Sequence, residues 1–597
     1  MPPKSGWYAC ALFTVFAIVL LAGCSSSSQP PVTVTLSPSP AFVGSAQTVQ
    51  LTANVTGDSS GVTWSVAGAS GGTIDANGNF TAPAVTQNAT ATVTATSKRD
   101  TTKSATATVN IIAPGTVANT NNPQVAQYTI NPPADAKVSI QFGPDTSYGL
   151  TTWTQPTPSG GGPTSIYVAG MRANTPYHMR AVMQFSAGAT VNDADHTFTT
   201  GAIPSANLPS ITASTTAGMT PQSGVELLAL TTNSTLMTGV VTDLSGNVLW
   251  AYNVPGLTTG FGLFPIKLLP NGDFLVNYTI GSKVDGTQSV MQEVDLGGNV
   301  VWQMTPTDLN NALASATCTG CNITVVGTHH DVAILPNGHL IVLAGLQKTV
   351  AGLAGYSTPQ TVNGDAIIDL DQNHKPVWVW NGFDHLDPNR HPLGLPDWTH
   401  TNAVVYSPDD GDLIVSMRNQ SWVIKIDYHD GAGTGNILWK LGYQGDFTLQ
   451  GGTDPVDWQY AQHDPNVITP NSSGVFQLTL FDDGNNRVLD SSGNICGTTG
   501  QPACWTRIPI YQIDETGKTA TLEWVDDLSP FFSLWGGSSR QLANGNIEFD
   551  ECADGANSII YEVTKTTPPQ TAWQMHITGQ NAYRGYRIPS LYPGVQW

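Results

Sequence analysis

Gly246-Asn-Val-Leu-Trp250, Gly298-Asn-Val-Val-Trp302, Pro376-Val-Trp378, Gly435-Asn-Ile-Leu-Trp439, Leu522-Glu-Trp524 and Ala572-Trp573 write one strand ending six times. A strand that closes on Trp, often after a Gly-Asn turn, is a unit of structure, and its recurrence is the mark of a repeat architecture. Between the endings a second element recurs, an apolar strand followed by a Pro-Asn-Gly-like turn: Ile266 to Gly272, Val332 to Gly338, Ala403 to Gly411, Val467 to Asn471 and Gln541 to Gly545. Each unit can therefore supply a small antiparallel sheet, and radial repetition protects the sheet edges. Residues 206–597 are expected to form a six-bladed β-propeller. The uneven spacing of the endings implies large insertions, and long loops between regular strands are usual places for a binding site. The Trp residues themselves read as blade packing rather than a ligand cage.

Composition agrees with an all-β chain. Of 597 residues only 11% are charged, while Gly numbers 60 and Pro 40, a balance that favours short strands and many turns over long helices. The 22 Lys and Arg against 43 Asp and Glu give a net charge of −21. That excludes a nucleic-acid surface, which needs clustered cations, but leaves room for an anionic small substrate where positive charge is concentrated.

Ahead of the repeats the chain reads in four pieces. Lys4, the uncharged run Trp7 to Leu21 and Leu21-Ala-Gly-Cys24 make residues 1–23 a signal peptide, with an apolar core too short to span a membrane. The ending resembles a bacterial lipobox. It implies lipidation of Cys24, a membrane anchor and a place in the bacterial cell envelope, at the periplasmic or outer-membrane face. Residues 24–31 are a Ser/Gln/Pro linker. Residues 32–113 alternate in short runs and resemble a bacterial immunoglobulin-like domain through Gly61-Val-Thr-Trp64 and the Gly72 to Phe80 turn. Residues 114–205, with Thr175-Pro-Tyr177-His-Met-Arg-Ala181, resemble a fibronectin type III-like sandwich. Both are expected to be supports. Export places Cys318, Cys321, Cys496, Cys504 and Cys552 in an oxidising compartment. A Cys496–Cys504 disulfide is expected, and Cys318-Thr-Gly-Cys321 reads as a tight structural disulfide, with a redox or metal pair as the competing reading. Cys552 is the odd one, expected to be buried.

The histidines carry the functional signal. Four of the twelve His residues fall in three sites at the start of the same repeat strand: Thr328-His329-His330-Asp331, Trp398-Thr-His400-Thr-Asn402 and Gln462-His463-Asp-Pro-Asn466. Equivalent positions on successive blades surround one axis, so the three should converge, and packing alone gives no reason to choose imidazole each time. Strand alignment sets His329 opposite His400, though irregularity can exchange the roles of His329 and His330. Arg418, at the end of the strand after His400, offers a five-donor fork suited to a tetrahedral oxyanion.

In order, His329-His330-Asp331, Asp397 to Asn402, Ser416 to Ser421, Gln462-His463, Asp482 to Arg487 and Tyr583 to Tyr592 resemble bacterial arylsulfate sulfotransferases over most of residues 206–597. The resemblance implies an exported enzyme that moves sulfuryl groups from an aryl sulfate donor to a phenolic acceptor, with no nucleotide, cofactor or metal. It implies His463 as the nucleophile that is transiently sulfated, surrounded by His329 or His330, His400, Asn402 and Arg418, with Tyr583 flanking the aryl group or simply packing. A homodimer is compatible with this reading. Two others compete: a quinoprotein-type dehydrogenase, which would need a calcium site for which only Asp482 and Asp483 offer themselves, and a non-catalytic surface binding propeller. A formylglycine sulfatase is disfavoured because no Cys-x-Pro-x-Arg motif is present.

Overall fold

The structure, a computed structural model, describes residues 29–68, 71–203, 208–231, 239–252, 254, 260–280 and 289–597. The expected signal peptide and Cys24 lie outside the described residues. The chain divides into two compact units between Ala113 and Pro114. In the first, the strands Ala41–Gly44, Ser104–Ile112, Ala89–Ser97 and Val62–Ala67 form a four-stranded sheet, accompanied by a three-stranded and a two-stranded one, around buried Leu51, Phe80, Val93 and Val109.

In the second unit, residues 116–199 supply two antiparallel sheets, and the repeats that follow supply six antiparallel meanders of four strands. Their first strands are Asn581–Ile588, Gly260–Leu268, Thr328–Ile334, Thr401–Ser407, His463–Val467 and Ser539–Gln541. Each meander then runs outward through two central strands to a fourth that carries the repeated Trp. The first meander is composite: its inner strand, Asn581–Ile588, comes from the far end of the repeats and pairs antiparallel with Val225–Thr231.

Alternation along the strands explains why the meanders pack face to face. Leu227 and Ala229 point to one side of the first sheet and join a cluster with Ile266, Phe274 and Val276 of the second. Leu228 and Leu230 point to the other side and join Ile560, Trp573 and Met575 of the sixth. Similar clusters lie between the second and third, third and fourth, fourth and fifth, and fifth and sixth sheets. A sheet covered on both faces needs continuous apolar strands, and Leu340-Ile-Val-Leu-Ala344 and Leu413-Ile-Val415 are such runs.

The six Trp residues fasten these layers. Each stands beside a register shift between the third and fourth strands of its sheet, and each reaches the outer turn of the sheet that follows. The indole N–H groups of Trp250, Trp439, Trp524 and Trp573 donate to Leu296 O, Glu515 Oε1, Thr566 O and Leu244 O. Trp302 stacks on His374 and Trp378 meets Tyr428 edge-on. The last link, from Trp573 to Leu244, returns to the first sheet. The Gly-Asn turns that receive or precede these contacts need Gly because Gly246, Gly298 and Gly435 hold φ of +84°, +86° and +74°.

Both short-range cysteine pairs, Cys318–Cys321 and Cys496–Cys504, are disulfides, and Cys552 is a buried free thiol. Trp573→Phe, which keeps the ring bulk but removes the donor to Leu244, is expected to cost about 1 kcal/mol. Trp573→Ala should cost about 3–5 kcal/mol. Unfolding midpoints in denaturant measure both.

Candidate active site

The three histidine sites open the first strands of the third, fourth and fifth sheets, and these strands lie side by side. None of the three begins as regular β-structure. A register shift interrupts each, between Thr328 and Val332, Thr401 and Ala403, and His463 and Asn466. Within or beside each shift stands a non-Gly residue in the left-handed region: His330 at φ +51°, His400 at +47° and Asp464 at +45°. Such conformations cost on the order of 1–3 kcal/mol each and persist where surrounding contacts impose them. Here they break the strict alternation of the strand, so that neighbouring side chains no longer point to opposite faces.

The result is a cluster of imidazoles around Tyr583. The His330 ring lies 4.6 Å from that of His400 and 6.0 Å from that of Tyr583, and the His463 ring lies 5.9 Å from Tyr583 on an edge-to-face approach. His330, His463 and Tyr583 are buried, whereas the His400 side chain keeps 22% of its exposure. His329 is not opposite His400, as strand alignment suggests. It turns back to Asp365, and the bulge gives the facing position to His330.

Each outer histidine has a carboxylate at one nitrogen. His463 Nδ1 is 2.6 Å from Asp483 Oδ2, His400 Nδ1 is 2.5 Å from Asp397 Oδ2 and His329 Nε2 is 3.0 Å from Asp365 Oδ1. For His463 the tautomer follows from its second contact. The Gly536 backbone N–H donates to Nε2 at 3.3 Å, so Nε2 holds a lone pair and Nδ1 carries the proton given to Asp483. Any side chain at residue 536 would obstruct that approach: a Cβ there would lie 2.6 Å from Cys552 Sγ, and φ is +80°. Burial, and then the charges of Arg418, His400 and Arg584, hold His463 well below the ordinary imidazole range. His330 is lowered by burial first and by its histidine neighbours and Arg584 next. Burial pushes the Asp483 carboxyl up, against the pull of Arg418.

Arg418 begins a short 3₁₀ turn, Arg418–Gln420, directly after the strand Asp412–Met417. One terminal nitrogen donates to Asn419 Oδ1 and the other to Leu534 O, both at 2.9 Å, while Nε is buried with no protein acceptor. Asn402 donates to Gln462 O and its buried Oδ1 has no donor. The Asp482-Asp483 pair is taken up by protein donors: Asp482 accepts from Arg487, Arg507 and the Tyr460 N–H, and Asp483 from His463. No cluster of three or more His, Cys, Asp or Glu able to hold a metal occurs among the described residues.

Arg584 joins the cluster without standing out in the sequence. Fully buried, its guanidinium takes one partner from each histidine-bearing strand: Asp331 Oδ2 at 3.2 Å, Asn402 O at 2.6 Å and Asp464 Oδ1 at 3.3 Å. It adjoins Tyr583 in the quoted Tyr583 to Tyr592 segment, and an Arg in so cation-poor a chain was the available signal. Asp365 and Gly536 had none.

A family model described as Arylsulfotransferase (ASST) matches residues 212–587, which contain every histidine of the cluster. No curated protein matches the chain. A solved structure described as a tetra-tandem repeat in the extending region of a large adhesion protein aligns over 57% of this chain and 99% of its own, at 16% identity and a TM-score of 0.12. That similarity is too low to bear on the fold.

Two outcomes are expected. Because the folded pKa of His463 is depressed, the protein takes up no proton there as pH falls through 6.5, whereas the unfolded chain does. Nitrogen NMR should therefore find His463 neutral and protonated at Nδ1 at pH 6.5, and stability should decline only below that pH. Arg584→Met leaves Asp464 buried without its cation and Asp331 with Lys267 alone, and should cost about 3–5 kcal/mol, read as a lower unfolding midpoint.

Proposed function

The chain belongs to the arylsulfotransferase family, and from that premise we propose that it carries a sulfuryl group from an aryl sulfate to a phenol through a sulfated His463. The observation that carries the reading is the His463 tautomer: a neutral imidazole whose lone pair sits on Nε2, beside Arg418 and within a cluster of further imidazoles. In the first half-reaction Nε2 bonds to sulfur as the bond from sulfur to the aryl oxygen breaks. The imidazolium so formed keeps its Nδ1 proton against Asp483. Arg418 and His400, the latter paired with Asp397, are placed to receive charge on the sulfuryl oxygens, which sulfuryl transfer shares with phosphoryl transfer as its main demand. In the second half-reaction a phenol oxygen takes the group and His463 is restored.

The frame for this chemistry is read as a six-bladed propeller, supported by six meanders whose Trp links run in order and return to the first. The segments 32–113 and 114–205 are read as immunoglobulin-like and fibronectin type III-like supports. An envelope location through lipid at Cys24 and a homodimer complete the proposal. The dehydrogenase reading loses its calcium ligands to Arg487, Arg507 and His463, and a non-catalytic propeller gives no reason for three carboxylate-oriented imidazoles.

The test is transfer from 4-nitrophenyl sulfate to phenol. Double-displacement kinetics are expected, with a sulfated peptide containing His463 trapped in the absence of acceptor. His463→Ala should lower transfer by a factor on the order of 10⁴ or more; full transfer by that variant would refute the nucleophile.

A further inference from the structure

We infer that the proton of each half-reaction is handled by His330 through a relay, Asp365–His329–His330, which moves positive charge out of the cationic pocket. This rests on the sulfuryl-transfer reading above. His329 Nε2 faces Asp365 Oδ1 at 3.0 Å, and His329 Nδ1 faces His330 Nδ1 at 2.9 Å. Asp365 is an acceptor throughout: its other oxygen receives the Thr399 hydroxyl and the Thr401 N–H, each at 2.6 Å. Although burial raises its carboxyl, the charge of His329 and these bonds outweigh it and hold the group below the ordinary range. His329 Nε2 therefore donates, and the only freedom left is the single proton between the two Nδ1 atoms.

That proton has two positions. On His330 Nδ1, His329 is neutral and His330 Nε2 holds a lone pair. On His329 Nδ1, with one further proton taken from substrate at His330 Nε2, His329 is an imidazolium against the Asp365 carboxylate and His330 stays neutral. The surroundings favour charge on the second ring. His330 faces His400, His463 and Arg584, each of which opposes a further positive charge there, whereas His329 lies against a carboxylate. Tyr583, from the strand Asn581–Ile588, is the remaining titratable group at the His330 ring.

The steps balance. As the donor's aryl oxygen leaves sulfur, His330 Nε2 gives it a proton, His329 Nδ1 passes its proton to His330 Nδ1, and a neutral phenol departs. The acceptor phenol returns a proton to His330 Nε2, His330 Nδ1 passes one back to His329, and the charge is restored beside Asp365. His330 is then the acid and base in contact with substrate, and His329 and Asp365 are positioning residues acting through it. A base enclosed by cations is weak unless the charge it gains can move on, and the relay supplies the way out.

Leaving-group dependence separates this role from a structural one. A 4-nitrophenolate departs without help, but a phenolate requires a proton. Asp365→Asn and His329→Gln should each slow formation of sulfated His463 from phenyl sulfate by about 10²-fold or more, and from 4-nitrophenyl sulfate at least about tenfold less severely. The acid limb of the pH profile should move in the phenyl sulfate reaction. A loss equal for both donors in His329→Gln, the gentler variant if Asp365→Asn fails to fold, overturns the relay while leaving sulfated His463 in the wild type. Absence of sulfated His463 from the wild type overturns the parent reading and the relay with it.

Discussion

The guanidinium of Arg584 is, among the described residues, the one side chain that reaches all three histidine-bearing strands, which are otherwise joined in pairs, through Val404 to Asp331 and Asn402 to Gln462. Each of the histidine-bearing strands offers it one acceptor, and the residue has no exposure through which water could substitute. Of the partners, Asp331 immediately follows strained His330 and Asp464 is itself the strained residue of its strand, so the ion contacts and the left-handed backbone fix each other. A cation of lower donor number could not span the three: an ammonium has three hydrogens on one atom, whereas the planar fork distributes its donors over several ångströms.

Around that point the fold builds by repetition and the site by departure from it. Each sheet is covered on both faces by apolar clusters, and each outer Trp reaches the following turn, so the frame is rigid where the strands are regular. The chemistry sits where regularity fails, at three bulges. The same bulges that expose imidazole nitrogens to one another also consume backbone hydrogen bonds, and Arg418, Asn402 and Asp483 retain buried polar atoms without protein partners. Of these atoms Arg418 Nε is a donor and the Asn402 and Asp483 oxygens are acceptors.

Much of this was legible in the amino-acid order. The six Trp endings marked the outer strands, because packing between layers demands a large ring at one repeat position. The three histidine sites and Arg418 stood out because imidazole and guanidinium have no packing advantage there. The choice between His329 and His330 was not legible: a strand's alternation assigns sides by parity, and an extra left-handed residue reverses the parity without leaving a pattern. Gly536 was hidden for another reason. It acts through a backbone N–H, which every residue except proline carries, so only its missing side chain distinguishes it. Asp365 resembles any strand carboxylate until its neighbour in space is known.

The strand Asn581–Ile588 lies last among those that build the site, yet it pairs with the first strand of the repeats and delivers Tyr583 and Arg584. All the imidazoles are synthesised before it. A chain that ends at Thr578 therefore carries the imidazoles, Asp483 and Arg418, but lacks the guanidinium that reaches all three of the histidine-bearing strands. The cluster is completed in one step, by the last of the described strands to be synthesised.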